Sequence, residues 1–325
     1  MSTYYQIFGG KINVVTSDPS NPIEGQVWYN TTSEVLKYRA ATTAGAWAAG
    51  GNLGTARYIM GGAGTQTAGL GFGGFITAVS AATEEYDGSS WTAGGNLGTA
   101  RHTMGGAGTQ TSALGFGGGT PGVSAATEEY DGTSWTAGGS LGTARQSIAG
   151  CGTQTSALAF GGFLGTANSA ATEEYDGTSW TSGGSLGTAT GRLAGCGTQT
   201  IALAFGGETT AVTAATEEYD GTSWTSGGNL GTARLALAGA GTQTSALAFG
   251  GTTTPTPAGN TAVTEAYNGT SWTADTSIST ARQGLTGAGT QPAALAFGGY
   301  TTTVVANTEE FTGAGDPVTR TVTGS

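Results

Sequence analysis

Charge is scarce in this chain: only 10% of its residues are Asp, Glu, Lys or Arg, against roughly a quarter in an average globular protein. Positive charge is scarcest, with 10 Lys and Arg against 21 Asp and Glu and a net charge of −11. A nucleic-acid partner needs a basic stripe to displace counterions. Eight of the basic residues are arginines and six of those recur at a fixed spacing, so no basic patch is left over and no nucleic-acid partner is expected. No apolar run reaches the 18 residues of a membrane span, so no membrane insertion is expected. The start, Met1-Ser2-Thr3-Tyr4-Tyr5, has neither the basic end nor the apolar stretch of a signal peptide. Histidine occurs once, at His102, which leaves no histidine cluster for a metal. Low charge could signal disorder, but disordered chains are poor in aromatics, and here 7 Trp, 11 Tyr and 10 Phe recur in register.

What is abundant is repetition. Phe72-Gly73-Gly74 returns at Phe116, Phe160, Phe205, Phe249 and Phe297, in steps of 44, 44, 45, 44 and 48 residues. Trp47, Trp91, Trp135, Trp180, Trp224 and Trp272 keep the same steps. A period of this length indicates a propeller, solenoid or array. A residue that occurs once per repeat is therefore read as architectural, and function is sought where the repeats differ.

One repeat reads as four short strands. Ser147 to Cys151 is a strand led by Arg145, and Gly152-Thr153-Gln154-Thr155 is a turn. Ala157-Leu158-Ala159-Phe160 alternates small and large, and Thr172-Glu173-Glu174-Tyr175 is a third strand. Asp176-Gly177 is a two-residue hairpin signal, and Ser179-Trp180-Thr181 is the fourth strand. Such a sheet cannot bury both faces alone, whereas packing against its neighbours around an axis does so. Leu158 and Phe160 then face one neighbour and Ala157 and Ala159 the other.

Arg57, Arg101, Arg145, Arg234 and Arg282 open their inner strands. In the remaining repeat that slot is Thr190, with Arg192 two residues on; a shift of two keeps a strand residue on one face, so Arg192 is expected to serve in its place. The expected partners are the couplets Glu84-Glu85, Glu128-Glu129, Glu173-Glu174 and Glu217-Glu218. Paired carboxylates also serve glycoside hydrolysis, but repetition in nearly every repeat argues for structure. Cys151 and Cys196 hold a slot that is alanine elsewhere. Two readings stay open: small buried side chains, or a bridge between neighbouring inner strands.

The diglycine closing the second strand, the tyrosine ending the third and the tryptophan of the fourth resemble kelch-type β-propellers over residues 47–311. The resemblance implies an all-β fold of four-stranded antiparallel blades around a channel. The segment from Asn21 to Arg39 resembles a short module near the N-termini of tailed-phage virion proteins. Val27–Tyr29 and Val35–Arg39 read as a hairpin, with Ile12–Thr16 as its inner strand and Trp47 on its outer strand; Val318–Val322 reads as the fourth strand of the last blade. Seven blades are favoured on this count, with a six-bladed ring, its last blade closed by an N-terminal strand, as the alternative. The expected division is residues 1–48 as a divergent blade and attachment segment, with Tyr4, Tyr5, Ile7 and Phe8 too apolar for a free tail, and residues 49–325 as the repeat propeller.

No cofactor and no catalytic residue are expected, and the chain reads as a binding or structural protein rather than an enzyme. The resemblance implies a phage virion component of tail, fibre or capsid surface, with other virion proteins, a host-surface glycan and further copies of itself as candidate partners. The alternatives are a bacterial or environmental carbohydrate-binding propeller and a kelch-like enzyme with an unusual site. Binding residues concentrate on loops held by rigid scaffolds. The repeats diverge in the links between second and third strands: 75–82, 119–126, 163–171, 208–215, 252–263 and 300–307. The candidates are Thr254, Pro255, Thr256, Pro257 and Asn260 in the longest link, and Phe75, Phe163 and Tyr300, each opening another.

Overall fold

The computed structural model of the chain describes residues 12–20, 26–41, 44–314 and 317–322. Its regular structure is almost wholly β-strand. The only helical turn among the described residues is the 3-10 segment Pro257–Gly259, and no described helix is long and apolar enough to cross a membrane. The chain separates into two compact units, residues 46–312 and the two ends, 1–45 with 313–325.

In the larger unit each repeat forms an antiparallel four-stranded meander. In the third of these, Ala149–Thr153, Ser156–Phe160, Thr172–Tyr175 and Trp180–Ser182 pair in order, with Cys151 opposite Leu158, Leu158 opposite Glu174 and Tyr175 opposite Trp180. Six such sheets stand side by side through their inner strands, and the last inner strand, Thr286–Gly289, lies beside the first, Gly61–Gly64. The Thr286 hydroxyl donates to Met60 O across this junction at 3.3 Å. The unit is a closed β-propeller.

Alternation along the second strands packs neighbouring blades. Leu158 and Phe160 meet Ala202 and Ala204 of the next blade, while Ala157 and Ala159 take Leu114 and Phe116 of the preceding one. Large residues nest against small ones, as dense packing requires. Cys151 and Cys196 are buried free thiols, each donating weakly to a backbone carbonyl of the following blade (Thr198 O, Thr242 O), so they act as small core residues and no bridge joins them.

Among the described residues there are seven four-stranded sheets, but they divide six and one. The outer strand of the sixth blade is Ala46–Ala49, with Trp47 opposite Phe311, so an N-terminal strand completes the last blade. Trp47 therefore does not join the N-terminal hairpin, and the C-terminal strand does not join the last blade. Pro317–Thr321 pairs instead with Val35–Ala41. Tryptophan decides the exchange. Each outer-strand tryptophan docks on the preceding blade: Trp135 on Phe72 at 4.8 Å, its Nε1 donating to Thr83 Oγ1 at 2.9 Å. Trp47 finds the same pair in the fifth blade, Phe249 at 5.0 Å and Thr264 Oγ1 at 3.2 Å, whereas the C-terminal strand carries no tryptophan.

The smaller unit is one sheet, in the order Asn13–Val15, Val27–Asn30, Val35–Ala41, Pro317–Thr321. The expected hairpin and inner strand are present, but Asn13–Val15 runs parallel to Val27–Asn30, unlike any strand pair in the ring. Asp18 organises it, accepting from Trp28 Nε1 at 3.0 Å and Asn30 Nδ2 at 2.8 Å, with Lys37 Nζ at 2.6 Å. These bonds, led by Lys37, hold its carboxyl down to about 2. Tyr4, Tyr5, Ile7 and Phe8 lie outside the described residues.

Candidate functional site at the channel mouth

The once-per-repeat residues are occupied in holding the ring together. Arg145 is wholly buried; its guanidinium donates to Gly161 O at 2.7 Å, Ala171 O at 2.6 Å and Glu173 Oε1 at 2.8 Å. Glu173 Oε2 accepts from Gly142 N at 2.6 Å in the link before the blade. Arg57, Arg101 and Arg234 repeat this pattern, and Arg282 reaches Gly298 O and Glu309 by a rotated version of it. The second glutamate of a couplet faces the other way: Glu129 accepts from Tyr175 OH of the next blade at 2.6 Å. Burial, then the glutamate bond, pushes the Tyr175 phenol up to about 12. These carboxylates are thus committed to ion pairs and blade-to-blade bonds.

The fourth blade departs from this. Arg192 does not replace the missing arginine: it is about half exposed, with Nε 3.6 Å from Glu208 Oε1, and it makes no bond to Glu217. Alternation fails because residues 190–192 precede the inner strand Ala194–Gly197 and Arg192 has φ +54°.

That backbone state recurs around the axis. Ile59, Thr103, Ser147, Arg192, Ala236 and Gly284 all have φ between +49° and +60°. For β-branched Ile59 and Thr103 this is an outlying state, sustained only by surroundings that over-determine it. The surroundings are a closed collar of hydrogen bonds. Thr103 N donates to Ile59 O at 2.7 Å, Ser147 N to Thr103 O at 2.8 Å, Arg192 N to Ser147 O at 3.1 Å, Ala236 N to Arg192 O at 2.9 Å, Gly284 N to Ala236 O at 2.8 Å and Ile59 N to Gly284 O at 2.7 Å.

The collar frames a cavity of about 420 Å3 to which all six blades contribute, a size typical of ligand sites. Its lining is largely aliphatic, with Tyr58 and His102 as its aromatic members. The Tyr58 ring lies 5.9 Å from Phe75 and 5.3 Å from Tyr300, and Phe75 meets His102 edge-on at 5.9 Å. Gln146, Ser147, Thr103 and Gln283 supply amides and hydroxyls, and Arg192 a cation. Burial lowers the His102 pKa, which keeps the ring neutral near pH 7. Its Nδ1 lies 3.0 Å from Thr103 Oγ1, whose hydroxyl donates to His102 O. Among the described residues no group of three His, Cys, Asp or Glu could hold a metal.

The second-to-third links open on this same face. Their first residues bridge to the residues flanking the collar, Phe75 to Tyr58, Phe163 to Gln146 and Tyr300 to Gln283. Of the expected loop residues only Pro255 lines the cavity, while Phe75 and Tyr300 pack against Tyr58 from outside the lining. Phe163 stands beside Gln146, outside the cavity lining. Thr254, Thr256 and Pro257 are exposed on the long link, whose Thr252 hydroxyl lies 2.6 Å from Thr254 O and 3.1 Å from Thr256 O. Asn260 is an anchor, its amide donating to Tyr300 O at 2.9 Å and Thr301 O at 3.1 Å. Tyr58, His102, Thr103, Gln146, Ser147 and Gln283 are not among the binding residues expected from the sequence. Their signal was present: the two positions after the arginine slot read Tyr-Ile, His-Thr, Gln-Ser, Gly-Arg, Leu-Ala and Gln-Gly, with no two repeats alike.

Fold and site together define a β-propeller with a ligand-sized cavity at one mouth of its channel. Among solved structures the chain is similar to that of YjhT, with a TM-score of 0.69 and 13% identity, covering 84% of this chain and 100% of that one. At that identity the likeness concerns the fold. No family model and no curated protein matches the chain.

Proposed function

We propose that this is a non-enzymatic virion component of a tailed phage whose propeller takes a host-surface glycan at the channel mouth. The observation that carries the binding role is where difference accumulates. Repeats that are otherwise nearly identical diverge at the collar and in the links beside it, and there they gather aromatic rings, amides, hydroxyls and one arginine. Aromatic faces stack on the apolar faces of sugar rings, while amides and hydroxyls match sugar hydroxyls. The virion setting rests on the resemblance of residues 21–39 to phage modules. In that setting the sheet formed by the two chain ends contacts other virion proteins or further copies of the chain.

A glycan array probed with the intact protein and with Tyr58→Ala tests the binding role. Selective binding by the parent, weakened at least tenfold in Tyr58→Ala, supports it; a parent that binds no glycan refutes it. The same mouth would serve a carbohydrate-binding propeller outside any virion. Capsid, portal and tail genes beside this one separate the two readings.

A further inference from the structure

The larger unit holds six arginines and no lysine. Arg57, Arg101, Arg145, Arg234 and Arg282 are wholly buried, each in an ion pair with a glutamate. Arg192 is the exception: it is exposed and lines the mouth cavity. Its backbone is fixed in the collar, its N donating to Ser147 O and its O accepting from Ala236 N, so the side chain has a rigid root. Its ion-pair partner, Glu208, meets Nε at 3.6 Å, beyond hydrogen-bond reach. The two terminal nitrogens of the guanidinium have no partner among the described residues. In the third blade, next to it along the collar, Gln146 and Ser147 also line the cavity, and their side chains make no hydrogen bond among the described residues. Guanidinium, amide and hydroxyl thus stand on adjacent blades as donors still to be met.

The charge of the mouth is opposite to that of the chain. The chain carries −11, yet no Asp or Glu lines the cavity. The exposed Asp87, Asp131, Asp176 and Asp220 sit in the turns between third and fourth strands, on the other face. Burial keeps His102 neutral near pH 7, which leaves Arg192 as the one formal charge in the lining. A cleft lined by charge of one sign concentrates ligands of the other.

We propose that the glycan taken at the mouth is acidic, with the carboxylate of an acidic sugar received by Arg192. This names the sugar class and rests on the reading of the mouth as a glycan site. A planar carboxylate accepts two parallel N–H groups from the terminal nitrogens of a guanidinium, a fork that an ammonium ion does not reproduce. Its remaining lone pairs suit the donors of Gln146 and Ser147. Glu208, at the Nε side, leaves that fork open.

The probes are pairs of oligosaccharides identical except that one carries a glucuronic acid where the other carries its carboxyl-reduced counterpart, glucose. Affinities of the full chain are measured for both members of each pair, with melting midpoints alongside. The parent should bind the acidic member of its preferred pair about tenfold or more tightly than the neutral one, as loss of a charge-assisted bond implies. Arg192→Gln should lose that preference with an unchanged midpoint, since Arg192 makes no buried bond, and Arg192→Lys should recover only part of it. A parent that binds both members equally, or an Arg192→Gln variant that keeps the preference, overturns the inference and leaves glycan binding standing. A parent that binds no member of any pair and no other glycan refutes glycan binding itself, and the acidic sugar with it.

Discussion

The two faces of the propeller are made from the same six repeats and are put to opposite uses. On the face away from the collar, the turn between first and second strands carries Gln66, Gln110, Gln154, Gln199, Gln243 and Gln291 without exception. Each side-chain amide donates to two carbonyls of the preceding blade, as Gln154 does to Ala113 O at 3.1 Å and Tyr130 O at 2.7 Å. On the collar face no two blades share the pair of residues after the arginine slot, and those residues line a cavity. Uniformity thus marks positions whose side chains bond one blade to the next. Divergence marks positions where the backbone does the blade-to-blade bonding and most of the side chains line the cavity.

Substitutions at the buried uniform positions, on either face, should cost most. Trp135→Ala removes a ring docked on Phe72 and Tyr130 and the donor to Thr83; a loss of about 3–5 kcal/mol is expected from denaturant unfolding. Arg145→Ala leaves Glu173 without its cation and should cost a similar 3–5 kcal/mol or so. An unchanged midpoint in either would remove the distinction between uniform and divergent positions.

A subtler case is written into the chain. At the junction of the fifth and sixth blades, Ala266 stands where other blades have the second glutamate and Phe311 where they have the tyrosine, so both ends of that hydrogen bond are gone together. Losing one partner of a buried bond is costlier than losing both. Tyr130→Phe should therefore destabilise by about 1–3 kcal/mol, and adding Glu85→Ala should restore part of that loss; a double variant worse than the sum of the singles would contradict the pairing. The tyrosines also set an alkaline limit. Tyr86, Tyr130, Tyr175, Tyr219 and Tyr267 are raised to about 12 by burial and then by their glutamates, from an ordinary 10. Their folded state favours the protonated phenol, so this stabilisation is complete below pH 10 and lost as pH rises towards 12. Unfolding followed over that window should show the loss, and Tyr130→Phe should reduce its slope.

The smallest effects on stability belong to the mouth. Replacing 252–263 by the 208–215 sequence should leave the midpoint nearly unchanged, because Asn260 occupies a bridge position held by Val79, Val123, Val212 and Val304 in four other links. Circular dichroism before and after the exchange checks this. Away from the mouth, Asp131→Asn in an exposed uniform turn should also be silent in a melt, since Asn268 already caps the same turn through Thr270 N and Ser271 N.

Much of this was legible from the residues. The period fixed the blade, the Asp-Gly and diglycine steps fixed its turns, and one arginine per repeat beside one glutamate couplet foretold the buried ion pairs. Three things were not. Ala46–Ala49 and Pro317–Thr321 are both short strand-like segments at the chain's ends, and only the docking of Trp47 on Phe249 decides which of them closes the ring. Arg192 misled because alternation holds within a strand, and the collar before the strand is left-handed. The long link drew attention by its length and prolines, yet it brings only Pro255 to the cavity lining, while shorter differences beside the arginine slot contribute most of the wall.

The division of labour between the faces is tested most directly by one paired measurement. Binding to the glycan or host surface that the parent recognises is compared for Tyr58→Ala, Gln146→Ala and Gln283→Ala at the mouth and for Asp87→Asn, Asp131→Asn and Asp176→Asn in the uniform turns, with melting midpoints taken alongside. The account predicts that the mouth variants lose at least tenfold in affinity with midpoints close to the parent's, and that the turn variants keep both. Binding lost from the turn variants and retained by all three mouth variants would contradict it.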